Sequence, residues 1–495
     1  MSLWPDQKYV NFPFVKTTNI QCQNGIGTNG ISIGINAGYS NQGINAVAIG
    51  NSAGQTNQGT SAIAIGNSAG KTNQGTYAIA IGFRAGQTNQ GINAVAIGFQ
   101  SGDSGQATSA IGIGVNPGQR NSSENAVAIG YLASQHSQGT AAVAIGYFAG
   151  RTSQRKNAVA IGFQAGQNSQ GTNAVAIGYQ AGAAIQSESA VAIGYQAGQT
   201  NQGTAAVAIG YLAGQATQGT RAVAIGFQAG QTNQKLEAVA IGLGAGQSTQ
   251  GTRAVAIGYQ AGFINQEDNA VAIGYQAGFN NQRTFSVAIG YQAGLATQRS
   301  GAIAIGVQAG RTNQAVNSIT IGLSSGRAQD ANAIHINSSG TLASASQGNR
   351  TIILNASATG HTGATANACY IAPIRGLASA TPVIAYNTTT AELTYNTSSI
   401  KYKKNVIDLQ QDTTRLYNIR AREYDTKEDD KHFIGYIAEE LNDIDTHFTW
   451  KNPDGSPEGI EWFNLLLYSI EEIKKLKTKI IKLNERIVKL EESQV

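Results

Sequence analysis

The chain is poor in the residues on which most enzymes and membrane proteins depend. Among 495 residues there are two cysteines, one methionine, three tryptophans and seven prolines, and only 12% of residues are charged. Cys22 and Cys369 cannot build a disulfide framework or a zinc site, so we expect free thiols, with an interchain bridge as the alternative. No window is apolar enough to span a membrane, and the N-terminus lacks a signal-peptide pattern, so we expect synthesis in a cytoplasm and no membrane insertion.

Positive charge is in slight excess but is nowhere concentrated. The last 98 residues hold 16 Lys/Arg and 19 Asp/Glu and sum to −3, whereas the other 397 hold 17 and 9 and sum to +8. Binding to nucleic acid requires a basic cluster or stripe, and this sequence has none. We therefore expect no nucleic-acid partner.

One sixteen-residue word repeats nineteen times between residues 30 and 326 without a change of register. Every sixteenth residue from Ile31 to Ile319 is Val or Ile, and Ile and Gly follow two and three residues later. The word reads roughly NAVAIGYQAGQTNQGT; its second Gly is replaced only by Ser134 and its last Gln only by Ser122. A short fixed period is typical of stacked units that cannot bury their apolar sides alone. Two glycines per word argue against helices, so we predict a β-solenoid.

Each word contains one strand and two glycine corners. The alternation in Ala46–Gly50 places Val and Ile on one face of the strand and the two alanines on the other. We expect the β-branched face to fill the inside of the coil and the smaller alanine face to meet a neighbouring chain. Gly50 and Gly54 supply the positive φ of tight corners. The position after the first Gly is Phe or Tyr in twelve words, from Phe83 to Tyr291, which predicts a stacked aromatic ladder.

The scattered titratable residues do not form a catalytic or metal-binding pattern. A glycoside-cutting site needs paired carboxylates, but the few acids of the array never recur at one position of the word. The histidines lack partners at metal-ligand spacing, so we expect neither a metal nor a cofactor. The acids are Asp103, Glu124, Glu188, Glu237, Glu267 and Asp268, and the isolated histidines are His335, His361 and His432.

Three segments lie outside the array. Residues 1–29 are irregular and partly aromatic, and we expect a cap or an attachment segment. Residues 327–397 break the period with short β-prone runs, which indicates a β-rich neck. Residues 398–495 are charged and end in apolar residues at 3-4 spacing, which predicts an α+β domain ending in a coiled-coil helix. An apolar seam of alternating Ile and Leu favours dimers in isolated coiled coils. If the β-solenoid assembles with threefold symmetry, the chain must instead form a trimer. The seam is Ile473, Leu476, Ile480, Leu483, Ile487 and Leu490.

The repeated word resembles the head repeat of trimeric autotransporter adhesins such as YadA. The likeness rests on Asn-Ala-Val-Ala-Ile-Gly and covers about 300 residues. It implies a left-handed parallel β-roll in which three chains pack side by side. This sequence differs from that family in its strict sixteen-residue period. We also find no autotransporter signal peptide or membrane barrel in it. The resemblance therefore implies the fold and the trimer, but not anchoring in an outer membrane.

Two segments of the C-terminal part, Thr397–Val406 and Phe433–Leu441, precede its helical end. With that helical end, the last 98 residues resemble the intramolecular chaperone of endosialidase, peptidase family S74. In that family the domain ends viral tail spikes and fibres, trimerises, assembles the β-structured fibre before it and then cuts itself off. The resemblance implies a single-turnover serine peptidase that acts on no other substrate.

Residue-by-residue matching implies Ser398 as the nucleophile, Lys403 as its base and a cut between Thr397 and Ser398. Ser399 with Lys404 has the same spacing, so a second register stays open. A serine hydroxyl needs a base, and a lysine serves as one when burial or neighbouring cations favour its neutral form.

These features predict a homotrimeric viral surface or tail fibre. We expect it to be made in a host cytoplasm, to join the virion through its N-terminal segment and to contact a host receptor, either a glycan or a protein. The alternative is a bacterial trimeric adhesin without self-cleavage, which requires an export route. An ice-binding solenoid is a third class, but it would need Thr at one position in nearly every coil, and that position varies here.

Overall fold

The computed structural model describes residues 27, 29–326, 330–338, 349–356, 366–372, 384–387, 392–395, 403–427, 430–452 and 454–493. Contacts divide the chain into two compact units, Met1–Ile374 and Arg375–Val495. The first unit is a parallel β-solenoid, and the second combines short strands with helices. The predicted mostly β architecture with sixteen-residue coils is confirmed.

Every coil of the array contributes one short strand to a parallel sheet, here called the valine sheet. Its strands pair one word apart, as in Val207↔Val223 and Ile209↔Ile225. The pairing leaves no register shift because each strand meets an almost identical copy of itself. The strands are Ile31–Ile33, Val47–Ile49, Ile63–Ile65, Ile79–Ile81, Val95–Ile97, Ile111–Ile113, Val127–Ile129, Val143–Ile145, Val159–Ile161, Val175–Ile177, Val191–Ile193, Val207–Ile209, Val223–Ile225, Val239–Ile241, Val255–Ile257, Val271–Ile273, Val287–Ile289, Ile303–Ile305 and Ile319–Gly322.

A second parallel sheet, here called the glutamine sheet, closes the other side of each coil. Gln186 links its two stretches through single bridges to Gln170 and Gln202. Each strand ends on the recurrent Gln or its Ser122 replacement. The strands are Ser40–Gln42, Thr56–Gln58, Thr72–Gln74, Thr88–Gln90, Ser104–Gln106, Arg120–Ser122, His136–Gln138, Thr152–Gln154, Asn168–Gln170, Thr200–Gln202, Ala216–Gln218, Thr232–Gln234, Ser248–Gln250, Ile264–Gln266, Asn280–Gln282, Ala296–Gln298 and Thr312–Gln314.

Alanines, and not β-branched residues, fill the interior of the coils. In one coil Ala206, Ala208 and Ala213 are fully buried, whereas Val207 and Ile209 lie on the other side of the strand and are only partly buried. The expectation that Val and Ile fill the coil and that the alanines meet a neighbouring chain is therefore wrong. A coil of sixteen residues is too narrow for two columns of β-branched side chains, so its interior accepts methyl groups and unbranched chains instead.

The corners depend on left-handed backbone conformations. Around one coil, φ is positive at Gly50 (125°), Ser52 (55°), Gly54 (98°) and Asn57 (56°). The predicted glycine corners are confirmed, and Asn and Ser serve at other corners because they tolerate this region better than most residues. At Gly50 a Cβ atom would lie 2.7 Å from the carbonyl oxygen of Gly66, so a side chain there would push successive coils apart.

The regular interior is interrupted between residues 101 and 134. Alanine clusters stop at Ala96 and resume at Ala128. The Oγ atoms of two buried serines in this stretch have no hydrogen-bond partner among the described residues. Fewer methyl contacts and unpaired hydroxyls stabilise these coils less than the regular coils around them. The replacements of the consensus residues are Ser101, Gly112, Pro117, Ser122 and Ser134.

Beyond the array the valine sheet continues with larger interior residues. Ile334–Asn337 pairs with the last array strand, then Ile352–Asn355 and Cys369–Ala372 follow in parallel. The segment Ile334–Asn337 therefore acts as one more, irregular copy of the array strand. The interior column runs from Ala304 through Thr320, His335 and Ile353 to Tyr370, so the methyl-sized interior gives way to larger side chains.

In its described residues, the second unit consists of short hairpins, 3₁₀ helices and two α-helices. Helix α1 spans Ala438–Ile444 and helix α2 spans Trp462–Glu492. Its core is small: Phe448 packs edge-on against Tyr468 of α2, with ring centroids 4.9 Å apart, beside Leu441 and Leu465. The predicted C-terminal helix is confirmed. The remaining elements are the strand pairs Ile384–Asn387 with Glu392–Tyr395, Arg422–Asp425 with His432–Gly435 and Thr449–Lys451 with Pro457–Ile460, and the 3₁₀ helices Thr413–Asn418 and Thr446–Phe448.

Candidate functional site

The outward side of the valine sheet is an apolar surface that repeats in every coil. We call it the apolar face: the first and third residues of each strand together with the residue after the following Gly. In one coil these are Val207, Ile209 and Tyr211, and Tyr211 is 44% exposed. From Phe83 onward the third column holds only Phe, Tyr, Val or Leu. In the neck, exposed residues such as Ile336 extend the face.

The aromatic column forms the predicted ladder. Neighbouring rings stack almost parallel: the centroids of Tyr179 and Tyr195 are 4.9 Å apart and their planes differ by 5°. The stacked run extends from Tyr131 to Phe227, and a second one extends from Tyr259 to Tyr291. Because each ring stacks on its neighbours one coil above and one coil below, the ladder presents an ordered surface at little further cost in entropy.

A column of buried glutamines runs through the interior opposite the alanines. The Nε2 atom of Gln202 donates to the carbonyl oxygens of Val191 (2.7 Å) and Ala206 (3.3 Å) and to Oε1 of Gln218 (3.1 Å). Each amide thus ties the two sheets together and links one coil to the next. The recurrence of Gln is visible in the sequence, but the sequence analysis does not predict that these glutamines are buried. The signal for their burial is the strict position of Gln in the word.

The glutamine ladder is broken at Ser122. The Ser122 hydroxyl turns to the carbonyl oxygen of Gly118 (3.1 Å) and does not reach the next coil. Oε1 of Gln138, which would accept from residue 122 in an intact ladder, has no partner among the described residues. A buried acceptor without a donor destabilises the fold, so this coil is an internal weak point.

The residues implied in self-cleavage are only partly described. Thr397, Ser398 and Ser399 lie outside the described residues, as does Cys22. Lys403 and Lys404 are described and exposed. Cleavage between Thr397 and Ser398 stays a prediction from the resemblance.

Helix α2 is divided between a packed base and an apolar stripe on its surface. Leu465, Tyr468 and Glu472 are buried in the second unit. Farther along, the predicted seam is uncovered: its six residues are 45–64% exposed. An apolar stripe of this length along a helix is typical of helix–helix association.

Two buried carboxylates fix the base of α2. Glu472 accepts hydrogen bonds from the Thr413 hydroxyl, Lys475 Nζ (2.9 Å) and the Tyr417 hydroxyl (3.0 Å). The Thr413 hydrogen bond first, and then that of Lys475, lowers the pKa of Glu472 to about 2. Asp445 similarly accepts from Tyr468 (3.2 Å). Glu472 therefore stays charged at neutral pH and anchors the 3₁₀ helix Thr413–Asn418 to α2.

His335 occupies the interior where the array meets the neck. Its side chain is 1% exposed, and its Nε2 has no partner among the described residues. Burial lowers the pKa of His335 to about 4, so the ring is neutral at pH 7. His361 lies outside the described residues, and His432 is an exposed residue beside Asp425. No group of three potential metal ligands occurs among the described residues.

We predict that acid destabilises the junction through His335. The pKa of His335 is about 6.5 in the unfolded chain, whereas burial lowers this pKa to about 4 in the folded chain. The free energy of unfolding is therefore highest above pH 6.5 and decreases as the pH falls towards 4. The loss is about 3 kcal/mol per chain in the free energy of unfolding. His335→Ile, which copies Ile353 of the next coil, should flatten this dependence in thermal unfolding at pH 7, 5.5 and 4.5. His136→Thr, at a partly exposed position, should leave it unchanged; equal slopes in all three proteins would contradict the prediction.

Comparisons with known proteins do not indicate a function for this chain. Neither protein-family models, nor curated proteins, nor solved structures give a match. In the part of the chain that the structure describes, no helix combines the length and apolarity needed to cross a membrane.

Proposed function

We propose that three copies of this chain associate side by side through their apolar faces to form a structural fibre of a virus. The observation that carries this proposal is the continuous apolar face on a fold that is otherwise covered with Asn, Gln, Thr and Ser. The repeated word and the endosialidase-type end of the sequence favour a virion fibre among trimeric β-structures. A fibre on the virion surface or tail is in a position to contact a host receptor.

The exposed area is large enough for a stable interface. An aromatic side chain has about 150–250 Å² of surface, so twelve rings at roughly 40% exposure present on the order of 1,000 Å². The Val and Ile columns add to this. A standard interface buries about 800 Å² per partner, and isolated soluble proteins rarely expose an apolar patch of this size.

The arrangement of the columns favours a ring over a twofold pair. A glycine corner, as at Gly210 (φ 131°), separates the Val and Ile columns from the aromatic column, so the face has two parts that point in different directions. In a closed ring each chain contacts its two neighbours through two different surfaces. A dimer would leave part of the apolar face in water.

The C-terminal unit supports assembly in the correct register. Because all words are alike, chains that meet along the array could pair one coil out of step, and long-range parallel pairing is slow. We propose that the apolar stripe of α2 forms a coiled coil that holds three chains level while the coils form. The buried Glu472 contacts, including Tyr417 (3.0 Å), would keep α2 fixed to its unit.

We further propose that Ser398 releases this unit once assembly is complete. Its hydroxyl oxygen would attack the carbonyl carbon of Thr397, and Lys403 would take the hydroxyl proton and return it to the departing amine of Ser398. The resulting ester would be hydrolysed by water, which gives residues 1–397 and 398–495. A unit that lowers the barrier to assembly also lowers the barrier to disassembly, so its loss would stabilise the fibre kinetically.

The test of this function is the processing and mass of the purified chain. Wild type is expected to give two bands on a denaturing gel and a native species with three copies of the array. Ser398→Ala should give only the uncleaved 51.4 kDa chain, because the substitution removes the hydroxyl that the resemblance pairs with Lys403. Ser399→Ala is the matched control and should be processed normally; blocked processing in this variant alone would indicate the second register. Uncleaved wild type would favour the adhesin alternative.

A further inference from the structure

We propose that a polar groove on the array, between residues 235 and 284, binds an uncharged oligosaccharide. The proposal rests on the proposed function, because it gives a host-contacting fibre a binding site and a ligand class. The groove lies on a corner of the coils and spans four of them, and it encloses about 430 Å³. This volume falls in the range of about 300–1,000 Å³ that is usual for small-ligand sites.

The groove forms where the repeat departs from its own pattern. The position after the buried Gln is Gly in many coils, as in Gly203 and Gly219, where a Cβ atom would come within 2.6 Å of the next coil's backbone. In this region the same position carries Lys235, Glu267 and Arg283, with Gly251 kept between the first two. Long charged side chains thus replace glycine on three of these four coils and form the walls of the groove.

The carboxylates of the groove are held in fixed orientations. Glu267 forms an ion pair with Arg283, and its Oε2 accepts from the backbone N–H (3.1 Å) and hydroxyl (3.0 Å) of Thr284. Asp268 Oδ1 accepts from the backbone N–H of Thr252 (2.8 Å). Oriented carboxylates with free lone pairs are strong acceptors for ligand hydroxyl groups, and they are already ordered before a ligand arrives.

The balance of charges selects an uncharged ligand. Lys235 and Arg283 contribute two positive charges, and Glu267 and Asp268 contribute two negative ones. A charged ligand would therefore meet a group of its own sign within the groove, whereas a polyhydroxylated one finds acceptors and donors together. The amides of neighbouring Asn residues and the Thr hydroxyls of the lining add further donors and acceptors of this kind.

An exposed ring beside the groove matches the other side of a sugar. Phe285 directly follows Thr284 of the lining, is 65% exposed, and its backbone N–H donates to the carbonyl oxygen of Asp268 (3.2 Å). A sugar ring has an apolar C–H face as well as a hydroxyl edge, and an aromatic ring beside polar groups can contact both. This combination distinguishes an oligosaccharide from a peptide, which would need an apolar pocket or a free sheet edge.

The proposal is tested with a printed panel of uncharged oligosaccharides of two to six sugars and their sialylated and sulfated counterparts. The full-length wild type is expected to bind at least one uncharged member. Asp268→Asn and Arg283→Ala should each weaken that binding at least tenfold, and Phe285→Ala at least fivefold. Glu188→Gln and Arg155→Ala, which occupy the same positions of the word on distant coils, should bind as wild type does.

Unfolding is excluded by requiring every variant to keep the wild-type native mass and thermal midpoint. Binding of no uncharged sugar, binding of charged sugars alone, or equal binding by groove and control variants would overturn the proposal. If the chain is trimeric and present on virus particles, and if particles with wild-type and groove-variant chains attach to cells equally well, the binding role of the groove is overturned but the proposed function is not. A chain that is monomeric or absent from particles would instead overturn the proposed function.

Discussion

Aspartate in place of Ile193, Ile209 and Ile225 is expected to prevent three chains from associating along the array. These side chains lie on the apolar face, so the substitutions leave the alanine interior unchanged. In a trimer they would bring nine carboxylates into an apolar contact, and the burial of each unpaired charge costs several kcal/mol. Once residues 398–495 have been released, light scattering of the remaining array should show the native mass falling from three copies towards one.

The matched control places the same charges on the opposite side of the same coils. Asn201→Asp, Thr217→Asp and Asn233→Asp modify outward positions of the glutamine sheet, which is polar. This triple variant should keep the wild-type mass, since its carboxylates stay in water. A monomeric wild type, or an isoleucine variant that remains trimeric, would show that the apolar face is not the interface.

Gln202→Leu is expected to lower the free energy of unfolding by about 2–4 kcal/mol. The substitution keeps most of the side-chain volume but removes the amide, so Oε1 of Gln218 loses its donor and Nε2 of Gln186 loses an acceptor. The carbonyl oxygen of Val191 also loses the Gln202 amide, whereas that of Ala206 keeps the backbone N–H of Val191 (2.8 Å). Each buried acceptor without a partner costs about 1–3 kcal/mol. Denaturant unfolding followed by circular dichroism measures the loss.

Two further variants separate the ladder from general effects of glutamine. Gln196→Leu removes an outward amide and should cost about 1 kcal/mol or less. Ser122→Gln should act in the opposite sense and stabilise the array by about 1 kcal/mol, because it would provide the donor that Gln138 Oε1 lacks. Equal stability of Gln202→Leu and wild type would contradict a structural role for the ladder.

Several features were readable from the sequence because the repeat leaves few choices. Residues such as Val207 and Val223 can only pair in register once identical words stack, so the sheet, the corners at Gly50 and Gly54 and the aromatic ladder were all predictable. The helix Trp462–Glu492 followed from its 3-4 spacing. For the proposed cleavage, Ser398 was reached through resemblance alone, and it lies outside the described residues.

The sequence by itself determined the period, the strands and their stacking, since a sixteen-residue repetition satisfies backbone hydrogen bonds in only one register. Which face of the strand turns inward was decided by the tertiary structure. Both faces are apolar, and alternation cannot rank Ala208 against Ile209. The narrow coil is filled by alanine methyl groups and unbranched glutamine chains such as that of Gln202, and the Val and Ile columns turn outward. Closure of the coil therefore created both the buried amide ladder and the exposed apolar face.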